Sequence, residues 1–225
     1  MEIRLIVTDD GSHSLYLPGM NETYHSSHGA LTESRHVFIK HGLLPVFSHT
    51  EERPVRVLEV GFGTGLNALL CQQQAEKFLI PVHYTTLEPF PLPEDLYRQL
   101  NYPGLINPDP ALADTFIRLH KAEWDSLQSV STHFRLEKRK LRLEDFQSDH
   151  KYHVVFFDAF APNKQEELWD EDLICKVADQ MADGGILVTY CAQGRFKRSL
   201  KKAGLSVENL PGPPGKKEMT RGRKK

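Results

Sequence analysis

The sequence predicts an α/β fold: a doubly wound, mostly parallel sheet with helices on both faces, preceded by an N-terminal hairpin and helix. Three observations point there. Apolar, β-branched runs around 55–60, 82–87, 152–157 and 186–190 alternate with stretches of helical periodicity. One of them, Tyr152-His153-Val154-Val155-Phe156-Phe157, is apolar nearly throughout, as a strand covered on both faces must be. Glu59, Glu88, Asp145 and Asp158 each stand at the carboxyl end of an expected strand, on the rim where open α/β sheets bind ligands. With 225 residues, 40% of them hydrophobic, the chain suits one such domain over 51–225, with 1–50 as an accessory segment of the same compact unit.

The elements follow in order. Ile3, Leu5 and Val7 alternate, Asp10-Gly11 is a hairpin turn signal, and Leu15 and Leu17 resume the alternation. Tyr24-His25-Ser26 falls in a loop placed to close over a site, before a helix with Leu31, Val37 and Phe38 buried and Thr32 or Ser34 as its cap. The strand from Val55 to Val60 then meets a helix at Leu66 through Gly61, Gly63 and Gly65, and the strand from Val82 delivers Glu88. Pro91 and Pro93 break the chain; a helix starts near Glu94 and fades before Asn101-Tyr102-Pro103-Gly104. Another helix runs from Pro110 to Trp124, with Leu112, Phe116 and Leu119 on one side. Phe134, Leu136, Leu141 and Leu143 mark a strand, bent at its charged middle and ending at Glu144-Asp145. After the strand at 152–157 come a helix from Leu168 to Met181, the strand Ile186 to Tyr190 and a basic helix from Arg195 to Lys202. A strand at Leu205 and Val207, the rigid loop Pro211-Gly212-Pro213-Pro214-Gly215 and a last strand around Glu218 to Thr220 complete the chain.

Composition excludes several classes. No apolar run approaches a membrane span, and Met1-Glu2-Ile3-Arg4 lacks a secretory pattern, so a cytoplasmic location and no membrane partner are expected. Cys71, Cys175 and Cys191 are isolated, which argues against a disulfide framework. His13, His25, His28, His36, His41 and His49 crowd the first segment without matching carboxylate or thiolate spacing, so no metal site is expected. The net charge of −2 is unevenly spread: residues 195–225 hold 11 Lys or Arg against Glu208 and Glu218. A basic end on a mildly acidic body predicts a nucleic-acid footprint that includes Lys216 and Lys217, although Arg221 to Lys225 reads equally as a solvated tail.

The glycine-rich turn chooses a ligand by its spacing. A dinucleotide fingerprint needs Gly-x-Gly-x-x-Gly, and after Gly61 and Gly63 its third place falls on Leu66. The pattern present, Glu59-x-Gly61-x-Gly63-x-Gly65, resembles the first motif of S-adenosyl-L-methionine (AdoMet) methyltransferases, whose class I members are Rossmann-like. Glu88, about 20 residues on, is placed to accept both hydroxyls of a ribose. Asp158-Ala159-Phe160-Ala161-Pro162 resembles the Asp/Asn-Pro-Pro-aromatic motif of amine-directed methyltransferases. There Asp158 would orient an acceptor amine, and Phe160 and Pro162 would line the pocket of a planar base, stacking worth roughly 1–3 kcal/mol. An alkylamine of lysine-like pKa costs about 4 kcal/mol to neutralise at pH 7, so Asp158 is cast as an orienting acceptor rather than a strong base.

Over nearly its whole length the chain resembles the methyltransferase domain of the MnmC/MnmD family of tRNA wobble-uridine modification. The resemblance is carried by Asp10-Gly11-Ser12, Tyr24-His25-Ser26, Gly29-Ala30, Glu33-Ser34 and His36-Val37-Phe38-Ile39, by Glu59 to Asn67, and by Asp158 to Pro162 with Leu168-Trp169. The stretch Gly212-Pro213-Pro214-Gly215-Lys216-Lys217-Glu218-Met219 adds to it. It implies methylation of 5-aminomethyl-2-thiouridine to 5-methylaminomethyl-2-thiouridine on tRNA. It further implies AdoMet held by Glu59, Gly61, Gly63, Gly65, Asn67 and Glu88, with Asp145 at the adenine and Asp158 as the catalytic residue. Tyr24, His25, Phe160, Pro162, Lys216 and Lys217 fall to the substrate, and a separate FAD-dependent oxidase would supply the aminomethyl group. Glu144 stands where the family pattern carries glycine. Competing readings are a methyltransferase acting on another RNA position or a small amine, an aminopropyltransferase, and a non-catalytic RNA-binding protein of the same fold.

Overall fold

The computed structural model describes residues 2–225. Its N-terminal segment opens with an antiparallel meander, β1 (Arg4–Val7), β2 (His13–Leu17) and β3 (Glu22–Thr23). The chain then enters one unbroken helical run: α1 (Ala30–Ser34), nine π-helical residues Arg35–Leu43, and α2 (Leu44–His49). Neither Thr32 nor Ser34 caps this helix, because it starts earlier, after Gly29, and both lie inside it. The hairpin turn supplies the cap through space. Ser12 Oγ accepts from the amides of Ala30 (3.1 Å) and Leu31 (3.2 Å), and Asp10 Oδ2 accepts from the Thr32 amide (2.8 Å) and hydroxyl (2.7 Å). Burial works to raise the Asp10 pKa, but hydrogen bonds from Ser12 and Thr32 win and hold it down at about 2.

The main sheet is built from β4 (Val55–Val60), β5 (Val82–Leu87), β6 (Leu127–Ser131), β7 (Phe134–Arg139), β8 (Tyr152–Phe157), β9 (Met181–Thr189), β10 (Leu205–Pro211) and β11 (Glu218–Lys224). Its spatial order is β10-β11-β9-β8-β4-β5-β7-β6. The five central strands are parallel, and β11 runs antiparallel between β9 and β10. From β4 the chain builds outward first through β5 and β7, then through β8 and β9 on the other side. The switch point therefore lies between β4 and β8, where a crevice opens outside the strand ends. In register, Val60 pairs with Phe157, which sets Gly61 and Asp158 side by side.

Helices cover both faces. They are α3 (Leu66–Phe78), α4 (Glu94–Tyr97), α5 (Tyr102–Ile106), α6 (Pro110–Lys121), α7 (Glu171–Asp179) and α8 (Gly194–Lys202). One core cluster joins α3 and α6 to the helical run of residues 30–49, so the N-terminal segment shares the core of the sheet. The other packs α7 and α8 on the opposite face. Gly42 permits a close approach: a Cβ there would lie 2.7 Å from Val188 Cγ2 on the sheet.

Several expectations change. The strand expected to reach Glu144-Asp145 stops at Arg139, and Leu143–Asp145 forms a single 3-10 turn. An edge strand, β6, precedes it, too polar to read from periodicity. The break expected at Asn101-Tyr102-Pro103-Gly104 instead starts α5, since proline fits the first turn of a helix. The helix expected over Leu168 to Met181 is divided into a 3-10 turn, Glu166–Trp169, and α7. Of the residues that read equally as a solvated tail, Arg221 to Lys224 belong to strand β11, and Arg221 to Arg223 are paired on both sides. Among the described residues no helix is long and apolar enough to cross a membrane.

Candidate functional site

A cavity of about 800 Å³ opens over the carboxyl ends of β4, β5 and β8, roofed by the N-terminal meander. That size suits a small organic ligand. Gly61 and Gly63 form its floor, and Gly65 turns the chain into α3 in a left-handed conformation (φ +74°). A Cβ on Gly65 would lie 2.9 Å from His120 Nε2, so the loop is seated against α6 as well as open to the cavity. Glu88 borders the cavity and accepts from the amides of Gly63 (3.0 Å) and Phe90 (2.9 Å). Burial pushes its pKa up. A carboxylate accepts about four hydrogen bonds, so two positions remain for a ligand's hydroxyls.

Asp158 lies across the floor from Glu88. Burial raises its pKa to about 7, the charge of Glu33 adds to the rise, and the Asn67 hydrogen bond and Lys216 oppose it. Asn67 Nδ2 donates to Asp158 Oδ2 at 2.8 Å, so this residue, expected at the cofactor, holds the acid in place. Around Asp158 stand aromatic rings: Tyr24 meets Phe160 edge to face at 5.2 Å, and Tyr190 lies alongside. The Phe160 backbone is fixed, with its carbonyl accepting from Trp169 Nε1 (2.9 Å) and its amide donating to Gln165 Oε1 (3.2 Å). Burial keeps the Tyr24 phenol protonated at all ordinary pH.

Three assignments made from the sequence, Glu59, Asp145 and Pro162, fall outside the cavity lining. Glu59 is fully buried beneath the cavity and lines none of it; its Oε2 accepts from Thr86 Oγ1 (2.7 Å), and burial raises its pKa to about 8. A neutral Glu59 suits that setting, since Asn67 Oδ1 beside it is buried without a hydrogen-bond donor. Asp145 is carried outward by its 3-10 turn, and Leu141 to Glu144 border the cavity instead. Pro162 is not part of the lining, which includes Ala161 and resumes at Gln165. His25 borders the cavity as expected, with its ring buried, Nε2 paired with Thr64 Oγ1 at 2.8 Å, and its amide donating to Ser14 Oγ (3.1 Å). Lys216 faces the cavity in an ion pair with Glu33, whereas Lys217 is exposed outside it. Glu33 and Tyr190 escaped the reading for chemistry, although Tyr190 was legible as a strand-end residue. Nothing in the chain around Glu33 signals that a residue of the last loop completes its pair.

Burial holds the His25 pKa down at about 4, so the ring is neutral through the physiological range and acts as a fixed strut under the glycine loop. His25→Ala is therefore expected to weaken binding in the cavity by roughly five- to tenfold, the worth of one buried hydrogen bond, with no change in this loss between about pH 6 and 8. Calorimetric titration with AdoMet at both ends of that range checks it.

Comparison with known proteins fits this geometry. Residues 119–225 match a family described as S-adenosyl-L-methionine-dependent methyltransferase. The chain is 32% identical over 215 residues to the bifunctional protein MnmC of tRNA 5-methylaminomethyl-2-thiouridine biosynthesis from Pseudomonas fluorescens, covering 90% of this chain and 32% of that protein. It is 31% identical over 231 residues to the MnmC of Aromatoleum aromaticum, covering 98% of this chain and 35% of the relative. The chain belongs to the S-adenosyl-L-methionine-dependent methyltransferase family. This methyltransferase spans about a third of the length of these curated relatives. MnmC2 from Aquifex aeolicus shares its fold, with a TM-score of 0.77 at 23% identity over 100% of this chain and 70% of that one. Spermidine synthase from Thermotoga maritima shares it more loosely, with a TM-score of 0.52 at 13% identity over 98% of this chain and 71% of that one.

AdoMet fits the residues present. Glu88 offers two unspent acceptor positions at the rim, the glycine loop brings backbone to the cavity floor, and Pro89, Phe90, Leu141 and Leu143 add apolar lining against which a planar base can lie.

Proposed function

We propose that this methyltransferase acts on tRNA, converting 5-aminomethyl-2-thiouridine at the wobble position to 5-methylaminomethyl-2-thiouridine. The observation that carries the reading is Asp158: a buried carboxyl, fixed by Asn67, facing a cavity walled by Tyr24, Phe160 and Tyr190. A flat base bearing a short amine suits those walls, with the ring against the aromatics and the nitrogen at the acid. When bound, AdoMet supplies a sulfonium methyl whose sulfur departs as a neutral thioether. The residues of the chain do the rest. Asp158 accepts a hydrogen bond from the acceptor nitrogen and, with its pKa raised to about 7, can also take the ammonium's proton at neutral pH. The nitrogen's freed lone pair then points at the methyl, and the product leaves as a protonated secondary amine. Positioning supplies most of the rate.

In this reading the reaction takes place in the cytoplasm, and a separate FAD-dependent oxidase is one source of the aminomethyl group. Much of the basic C-terminal end is spent internally: Arg195 pairs with Glu166 and Asp170, Lys197 with Glu218, Lys202 with Glu171, and Arg221 with Glu208. Lys217 makes no ion pair among the described residues and remains available for phosphate. Lys217→Ala should reduce the salt slope of tRNA binding by about one, with little change in turnover at saturating tRNA. Filter binding across a salt series reads this directly; an unaltered slope would mean that Lys217 faces only solvent.

The substrate itself is tested by incubating the enzyme with AdoMet and tRNA that carries 5-aminomethyl-2-thiouridine, followed by nucleoside mass spectrometry. One added methyl on that nucleoside is expected. Methylation at another nucleoside, or of a free amine only, would displace the reading.

A further inference from the structure

The mechanism above leaves a charged cluster of the cavity unused. Lys216 Nζ lies 2.6 Å from Glu33 Oε2 and 3.8 Å from the centroid of the Tyr190 ring. The Glu33 side chain is only 6% exposed and that of Lys216 30%, and all three residues border the same cavity as Asp158. The other Glu33 oxygen accepts from the Ser26 amide (3.1 Å), and Tyr190 donates its hydroxyl proton to the carbonyl of Ala159 (2.7 Å), next to the acid. The loop bearing Lys216 is seated as well: a Cβ on Gly215 would overlap the His28 ring. An ammunition of fixed contacts on this scale is more than a surface ion pair needs. A carboxylate on one side and a π face on the other hold the ammonium as a charge in a set place.

We propose that Lys216, clamped by Glu33 over the face of Tyr190, is a positioning residue for methyl transfer: its ammonium favours Asp158 as the anion that aims the acceptor nitrogen, and Glu33 limits that influence. The inference rests on the reading of an amine acceptor at Asp158. Asp158 is faced by Asn67 from α3, by Glu59 and Tyr84 from the strands beneath, by Glu33 from α1, by Tyr190 after β9 and by Lys216 from the last loop. Lys216 is the one cation in that set. Its own neighbours include His25 and Cys191, both neutral at pH 7 because burial lowers the first pKa and raises the second. The same positive charge disfavours a protonated amine at the acid, so it serves both partners of the hydrogen bond.

Carboxyl carbon-13 NMR of Asp158 in the free protein tests the arrangement without substrate. Lys216→Met should move its protonation midpoint up by about one pH unit, Glu33→Gln should move it down, and Lys216→Arg should leave it within a few tenths. A pair that merely fastened α1 to the loop would move both neutralising variants the same way or neither, and that result overturns the proposal. Lys216→Arg keeps the charge and guards against a folding defect. On tRNA carrying the aminomethyl nucleoside, Lys216→Met should lower kcat at pH 7 about tenfold with unchanged AdoMet affinity, and Lys216→Arg should recover most of it. Opposed NMR shifts with a wild-type enzyme inert on that RNA would refute the amine substrate and leave the charge arrangement standing. Unchanged midpoints with an active wild type would refute the arrangement alone.

Discussion

Replacing Asp158 by alanine is expected to lower methyl transfer by about a thousandfold or more, while AdoMet affinity stays within a few-fold of wild type. The acid sits at the acceptor end of the cavity, and its hydrogen-bond partner in the protein is Asn67. Glu88 and the glycine loop, which face the donor, do not depend on its carboxyl. The rate should also depend on pH. With its pKa raised by burial to about 7, Asp158 loses the ability to accept the amine's proton as pH falls below that value, so wild-type turnover should drop on the acid side. Stability must run the other way. Between the unfolded value of 3.8 and about 7 the native state binds more protons at this group than the unfolded state, so the folded form loses stability as pH rises through that window. Asp158→Ala removes this penalty and should melt no lower than wild type at pH 8, which separates lost chemistry from lost fold. Single-turnover rates across pH, with melting curves beside them, decide the matter. A variant that retains wild-type turnover removes Asp158 from the mechanism.

Gly61→Ala is the second substitution of large effect. Gly61 has φ +93°, and a Cβ there would lie 2.9 Å from the Asp158 carbonyl oxygen. Neither side can give way: the Gly61 amide donates to Leu87 O (3.0 Å) and the Asp158 amide to Val60 O (3.1 Å), so both strand ends are tied into the sheet. The expected cost is about 2–3 kcal/mol of stability, together with at least about a hundredfold loss in turnover, because the cavity floor and the acid are displaced together. Gly204→Ala is the control. It shares a positive φ, +83°, but a Cβ there would meet nothing within 4 Å, so only the conformational penalty of about 1 kcal/mol applies. Chemical denaturation of both variants measures the difference, and equal losses would disprove the role assigned to close approach.

The residues that could be read from sequence are those whose role is local. A strand, a glycine turn and a helix are contiguous, so Val55 to Phe78 announced both the crevice and its ligand class. Tyr152 to Phe157 was legible because a strand buried on both faces is apolar at nearly every step, and Asp158 followed as the residue at its end. Glu59 misled for the same reason: the acid preceding the glycines looks like a ligand contact, but strand alternation turns it beneath the floor, where Thr86 holds it. Asp145 falls outside the cavity because the strand stops at Arg139 and the 3-10 turn that follows, invisible to periodicity, leaves Glu144 and not Asp145 on its border. The helix cap at Ala30 was missed because its acceptors, Asp10 and Ser12, come from a different element.

By itself, then, the chain determined the layered α/β order, the nucleoside-shaped turn and the acid at the end of the fourth parallel run, since each is written in neighbouring residues through side-chain periodicity and backbone sterics. Tertiary structure alone decided which charges face the cavity. Glu33 and Lys216 stand 183 positions apart and meet only because the sheet inserts its last strand beside β9, folding the final loop back over the N-terminal helix. Electrostatic partnership depends on distance through space, which a linear pattern does not encode, and so a lysine that looked like a phosphate contact became part of the cavity wall.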